Sequence, residues 1–298
     1  MHAISKTLAA ALLFAVIVLA GCGDNQAAPE VNIEPKVKPP VVAEAGVLRA
    51  GMDLDYPPFA GVDGGRNAGI DIDVASALAH ELGLTLEIVE VEPSEIATAL
   101  ADGTVDIVMS VPLAQDTILG ATLSGIYIAD GPAYFTKGSQ EATGSSEATG
   151  TADASAAVEP VSITALLGSK IGAQQGSESF WFLGYEIGES EVATFTTLRE
   201  AFEALDRGEI EVVAADALVG AYIARDFDDI AFGGLLTDPT PIGVAVALEN
   251  TELDVAISSA LDVLAANGTL GRVRSTWVGD VPPFAVFGSE STEETVSP

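Results

Sequence analysis

Ala99-Leu100-Ala101-Asp102-Gly103-Thr104-Val105-Asp106-Ile107-Val108 returns later in the chain as Ala204-Leu205-Asp206-Arg207-Gly208-Glu209-Ile210-Glu211-Val212-Val213. Each copy reads as the last turn of a helix, a glycine that can adopt the left-handed conformation ending it, and a β-branched buried strand. A unit met twice predicts two similar α/β lobes. Outward from the first copy, Val47 to Met52 reads as a strand. Asp53-Leu54-Asp55-Tyr56-Pro57-Pro58-Phe59 follows as its exit, because the prolines cannot continue a ladder. After the turn at Gly64-Gly65, Ile72, Ala75, Ala79 and Leu82 share one face of a helix from Asp71 to Leu82, which Gly83 ends. Leu84 to Val91 is a strand, Pro93 opens a helix running to Asp102, and Val105 to Val111 is the next strand. The β-α-β-α-β order predicts a parallel sheet with ligand-facing loops at its carboxyl edge.

The second copy has a similar setting. Lys170 to Gln174 is a strand, Ser177 to Leu183 opens a helix, and Thr197-Leu198-Arg199-Glu200 has capping-box spacing for the helix ending at Gly208. Glu211 to Ala215 is a strand and Ala217 to Arg225 a helix. Thr251-Glu252-Leu253-Asp254 is a capping-box-like start for a long helix to Asn267, with Gly268 as its stop.

The chain has 298 residues, 48% of them hydrophobic, enough for one or two sizeable cores. Its 44 acidic against 12 basic residues give a formal charge of −32, which repels nucleic-acid phosphates, so no nucleic-acid partner is expected. The acidic excess is spread over helix faces and turns and reads as a solvated surface. The only histidines are His2 and His80, which removes His-based triads, most zinc sites and heme ligation from the mature protein; no metal and no cofactor are expected. No P-loop or GxGxxG motif is present. Carboxylate-pair chemistry stays open through Asp53, Asp55, Asp71 and Asp73, although the helix macrodipole accounts for Asp71 and Asp73 at a helix start.

Lys6 precedes the apolar run Leu8 to Ala20, whose length suits a signal peptide better than a bilayer span. It ends in Leu19-Ala20-Gly21-Cys22, which resembles the lipobox of bacterial lipoproteins, where cleavage leaves a lipidated cysteine. Cys22 is the only cysteine, so no internal disulfide can form. Residues 23–45, with Pro29, Pro35, Pro39 and Pro40, read as an extended tether. From Lys137 to Pro160 the composition turns to Gly, Ser, Thr, Ala and Glu. Gln140-Glu141-Ala142-Thr143-Gly144 is echoed there by Ser146-Glu147-Ala148-Thr149-Gly150, the composition of a flexible loop between lobes.

Taken in order, Tyr56-Pro57-Pro58-Phe59, Gly69-Ile70-Asp71-Ile72-Asp73-Val74-Ala75, Gly103-Thr104-Val105-Asp106-Ile107, Ile171-Gly172-Ala173-Gln174-Gln175-Gly176-Ser177, Ala214-Ala215-Asp216 and Asn267-Gly268-Thr269-Leu270, closing on Trp277, resemble the family 3 extracellular solute-binding proteins. These are amino-acid-type receptors of ABC importers. The resemblance implies a two-lobed, periplasmic-binding-protein-like α/β fold, with two parallel or mixed sheets flanked by helices. Hinge strands would lie near Ala133 to Thr136 and Ile242 to Val246. The implied layout is a signal peptide over 1–21, the lipidated Cys22 and tether over 22–45, lobe 1 over 46–136 plus 242–280, a loop over 137–160, lobe 2 over 161–241, and a loose tail over 281–298. It also implies a monomer without catalytic residues that captures a small molecule by lobe closure and delivers it to a membrane permease from the periplasmic or extracellular face.

Carried over singly, Tyr56 matches an aromatic that packs on the ligand, with Phe59 beside it in the same motif. Ser110 falls in the ligand-lining turn. Ser177 opens a helix, where its hydroxyl either binds a ligand or serves only as the N-cap. Asp216 stands at the end of a buried strand, where the family holds the ligand's amine. The departures point to an unusual ligand. Where amino-acid binders carry an arginine for the α-carboxylate, this chain reads Asp116-Thr117-Ile118-Leu119, and no basic residue occurs between Arg66 and Lys137. Val111, Leu113 and Pro93 replace the hydroxyl-bearing and aromatic residues common there, so an amine-bearing solute is expected. Alternatives are a ligand-sensing lipoprotein, a quinoprotein-dehydrogenase-associated binding protein, to which Val111-Pro112 followed by Asp116 is somewhat similar, and a small dehydratase-like enzyme.

Overall fold

The computed structural model describes residues 34–113, 118–138 and 160–284. The expectations for the signal segment, Cys22, most of the low-complexity stretch, Asp116-Thr117 and most of the tail fall outside the described residues.

The chain runs through strands β1 (Val47–Met52), β2 (Gly61–Asp63) and β3 (Arg66–Ala68), helix α1 (Ile70–Leu82), β4 (Thr85–Glu90), α2 (Ile96–Ala101), β5 (Ile107–Pro112), β6 (Ala121–Asp130) and β7 (Pro132–Lys137). Then come β8 (Ile171–Gln174), α3 (Glu178–Ile187), β9 (Val192–Phe195), α4 (Leu198–Asp206), β10 (Val212–Asp216), α5 (Ala217–Ala224), β11 (Ile230–Leu235), β12 (Thr240–Ala247), α6 (Thr251–Ala266) and α7 (Thr269–Val278). One five-stranded sheet has the order β4-β1-β5-β12-β6 and the other β11-β7-β10-β8-β9. In the first, β1 pairs parallel with β4 and β5, while β12 runs antiparallel to β5 and β6. The second repeats this plan, with β8 parallel to β9 and β10, and β7 antiparallel to β10 and β11. Both lobes are therefore mixed sheets, in which helices supply the parallel crossovers.

The echoed turns occupy equivalent places in the two lobes. Gly103 after α2 and Gly208 after α4 have φ of 72° and 71°, the left-handed conformation that ends a helix without a Cβ clash. Three residues beyond each glycine stands a carboxylate. Asp106 accepts the backbone N–H groups of Ala43 and Arg49 at 2.9 Å and pairs with the Arg49 guanidinium, whereas Glu211 accepts the Lys170 N–H at 2.9 Å. The capping box at Thr197 and Glu200 is complete. The long helix α6 is capped one residue earlier than its sequence suggests: the Asn250 side chain, and not Thr251, accepts the Leu253 N–H.

Three other expectations need correction. Residues 34–45 do not all form a free tether, since Val37 and Val42 are buried against the first lobe and the Lys36 N–H bonds to the Leu82 carbonyl. Ala133 to Thr136 is not a hinge: it lies in the middle of β7, paired on both sides, with Phe135 packed on Phe202 and Phe232 in the second lobe. Ile242 to Val246 is likewise paired on both sides, inside the first sheet. The chain changes sheets at Asp130-Gly131-Pro132 and returns through Leu236 to Pro239, where Gly131 leaves only 3.3 Å between an added Cβ and Pro239. The tail is not loose from its start, because Val281 and Phe284 are buried and Phe284 lies 5.9 Å from the Phe232 ring. Helix α7 also ties the lobes together: Trp277 donates its indole N–H to Asp73 at 2.7 Å, while Arg225 of the second lobe donates to the Trp277 carbonyl at 2.8 Å.

Candidate functional site

Between the sheets lies a cleft of ≈ 350 Å³, lined from the first lobe by Tyr56, Phe59, Ser110, Pro112, Thr240 and Ile242. Glu178 and Asp216 line it from the second lobe, and Asp130 and Gly131 line it at the crossing. Of the residues singled out from the sequence, the fold thus brings Tyr56, Phe59, Ser110 and Asp216 to one place. Ser177 is not in the lining. Its hydroxyl donates to the Gln174 carbonyl at 2.9 Å and accepts the Phe180 N–H at 3.1 Å, so it is spent on capping α3.

The aromatic floor comes from a compact turn. The Phe59 and Ala60 N–H groups both bond to the Tyr56 carbonyl, while Pro58 and Phe59 carbonyls accept the first N–H groups of α1. This backbone capping requires Gly69, whose φ is 147° and whose added Cβ would stand 2.2 Å from the Phe59 oxygen. The Phe59 ring is buried beneath Tyr56, stacked at 5.3 Å, and Tyr56 keeps 43% of its surface exposed. Burial and the surrounding carboxylates raise the Tyr56 hydroxyl well above its usual range, so it stays neutral.

Helix α1 carries Asp71 directly behind the first wall. The sequence reading gave Asp71 a macrodipole role at the surface, but the side chain is fully buried, accepting from Ser110 Oγ at 2.7 Å and from the Tyr127 hydroxyl. Tyr127 in turn accepts the Ser110 N–H at 2.9 Å. Burial pushes the Asp71 carboxyl up to about 6, against the pull of the two hydroxyls, so it is ionised at neutral pH. Ser110 itself has φ 55°, a strained conformation for a residue with a side chain. It sits where the β5–β12 register slips between Val108 and Val111, a bulge that turns it toward the cleft. Because its one hydroxyl proton goes to Asp71, Ser110 offers the cleft only lone pairs.

The second wall is held differently. Asp216 occupies the N-cap position of α5 yet makes no capping bond; Asp130, 88 residues away in sequence (218 − 130), accepts the Leu218 N–H at 3.0 Å instead. The same Asp130 oxygen accepts the Gly131 N–H at 2.8 Å. Relieved of capping, Asp216 faces the cleft with a single side-chain partner, the Ser179 hydroxyl at 3.1 Å. Burial raises the Asp216 carboxyl; burial and then the Asp216 charge raise Glu178. Burial, with further repulsion from Asp216 and Glu178, pushes Asp130 up to about 8 despite the two N–H groups it accepts. No Lys, Arg or His lines the cleft. Sequence reasoning missed Asp130, Glu178 and Tyr127. For Asp130 a signal existed: a carboxylate in the apolar run Ile126 to Ala133 must be buried, and so must find partners.

A family model described as bacterial extracellular solute-binding proteins, family 3, matches residues 48–280. The chain belongs to this family. Family 3 members matching most of the chain include the L-cystine-binding protein TcyJ of Escherichia coli, 24% identical with 80% of this chain and 85% of the relative covered, and the L-arginine-binding protein of Pseudomonas aeruginosa, 27% identical with 84% and 93% covered. Among solved structures, an ancestral cationic amino acid solute-binding protein matches with a TM-score of 0.63 and 26% identity over 78% of this chain and 96% of that one. A cyclohexadienyl dehydratase of Pseudomonas aeruginosa is 35% identical but covers only 34% of this chain. The protein is thus a family 3 substrate-binding protein with the two-lobed fold of its relatives, not an enzyme. Membership implies a small-molecule ligand, an ABC permease as partner and an extracellular or periplasmic station.

Proposed function

We propose that the protein captures a small solute carrying a cationic or amine group, with no carboxylate required, and hands it to its permease. One observation carries this reading: Asp130, Glu178 and Asp216 share a cleft that no basic side chain lines. A ligand carboxylate closed into that space would be buried without a partner, at a cost of several kcal/mol. An ammonium group, in contrast, meets carboxylates that are already desolvated, the lone pairs of Ser110 and the face of Tyr56. Tyr56, Phe59, Ser110 and Asp216 are the proposed ligand-binding residues, and Ser177 is left to capping. The relatives' names support a polar, nitrogen-bearing ligand.

A thermal-shift screen of amines, amino acids, peptides and osmolytes tests this, since a ligand at a hundred times its Kd stabilises by roughly 2.7 kcal/mol. Asp216→Asn should weaken the best amine by about 2 kcal/mol and leave the fold intact. Unchanged affinity in that variant contradicts the reading. The Leu19-Ala20-Gly21-Cys22 motif supports a lipid anchor at Cys22. Cys22→Ser should then move the protein from the membrane fraction to the soluble one, and equal membrane retention contradicts the anchor.

A further inference from the structure

One amine does not satisfy this cleft. Asp130 keeps only 6% of its surface exposed and still lines the cavity. Its Oδ1 holds both the Gly131 and the Leu218 N–H groups, while its Oδ2 makes no hydrogen bond among the described residues. A carboxylate oxygen buried to that degree is costly unless something positive meets it. Asp216 and Glu178 form a separate pair of acceptors on the second wall. Among the described residues, no three His, Cys, Asp or Glu side chains converge closely enough to hold a metal ion, so a single point charge does not reach all three carboxylates. The cavity, ≈ 350 Å³, is at the small end for ligand sites and fits a short molecule.

We propose that the cleft takes a short dication, with one ammonium group on the Asp216 and Glu178 wall and a second at the hinge against Asp130. This rests on the cationic-solute reading above and sharpens it. Asp130 then has two duties that use different oxygens. One caps α5 and frees Asp216 for the ligand; the other fixes the ligand's second charge beside the segment about which the lobes move. The positive charges must sit at opposite ends of a short chain, because the two acceptor groups flank the aromatic floor and do not share one point.

Calorimetry at low ionic strength with 1,4-diaminobutane and with butylamine tests this directly, on the wild-type protein and on Asp130→Asn. Asparagine keeps an oxygen for the two N–H groups but loses the charge. The diamine should bind the wild type at least about tenfold more tightly than the monoamine. In Asp130→Asn that ratio should fall to about twofold, the statistical advantage of two identical ends. Equal affinities in the wild type overturn the dication while leaving the cationic reading in place. A ratio that survives in Asp130→Asn overturns the role of Asp130. Binding of neither amine, together with tight binding of L-arginine that is lost on amidation, overturns both. Should Asp130→Asn fail to fold, a series from 1,3-diaminopropane to 1,6-diaminohexane on the wild type decides: two fixed sites give one preferred length, and a flat series contradicts them.

Discussion

Asp71 and Asp216 are both desolvated carboxylates at the start of a helix that borders the cleft, yet one is shut in and the other left open. Asp71 is fully enclosed, with Ser110 and Tyr127 donating to it, and serves to hold Ser110 in its strained bulge. Asp216 has one hydroxyl partner and a cap position it does not use, because Asp130 reaches in from the crossing strand. The same residue type thus shapes the protein on one wall and is free to meet a ligand on the other. The deciding factor is how many donors the surroundings supply, not how deep the residue lies.

The largest effect should separate the two walls by stability. Asp71→Ala leaves two buried hydroxyls without an acceptor and should cost about 3 kcal/mol in urea denaturation. Asp216→Ala strands only Ser179 and removes a desolvated charge beside Glu178, so it should stay within about 1 kcal/mol of wild type while losing amine binding. Equal losses would mean that the walls are alike.

Acidity should distinguish them next. The Asp130 carboxyl rises from an ordinary 3.8 to about 8 in the folded protein, so between those values the native state keeps a proton the unfolded chain has released. This contribution to ligand-free stability falls as pH rises through that window and returns as pH drops. Cation binding has the opposite sign: it tightens with rising pH, by at most about tenfold per unit for each proton displaced. Urea midpoints and amine affinities between pH 5 and 9 check both slopes, and Asp130→Asn should flatten them. Slopes unchanged in that variant would assign the proton elsewhere.

The smallest effect concerns the repeat beneath the walls. Gly103→Ala and Gly208→Ala force the same left-handed strain and should each cost about 1 kcal/mol, equally in the two lobes. A clear inequality would show that the echoed turns are not equivalent.

Those turns explain why so much of the fold could be read from the sequence. Helix ends, capping boxes and β-branched strands are local signals, and they located α1, α4, β5 and β10 to within a few residues. Ala121 to Lys137 carries no comparable punctuation apart from Gly131 and Pro132, so the change of sheet there was hidden and the hinge was misplaced into β7. The site divided in the same way. Tyr56, Ser110 and Asp216 stand at strand ends, where position alone suggests a role. The Asp71–Tyr127 contact and the Asp130 cap on α5 join residues 56 and 88 apart (127 − 71 and 218 − 130), and only the packed structure brings them together.

The central claim is that the cleft selects a positive charge and rejects a carboxylate, and calorimetry with L-arginine and L-argininamide tests it most directly. The amide should bind at least as tightly as the amino acid, since removing the carboxylate removes a charge that would be buried without a partner. Tight binding of L-arginine that is lost on amidation would contradict the account and require a carboxylate-binding group in this cleft.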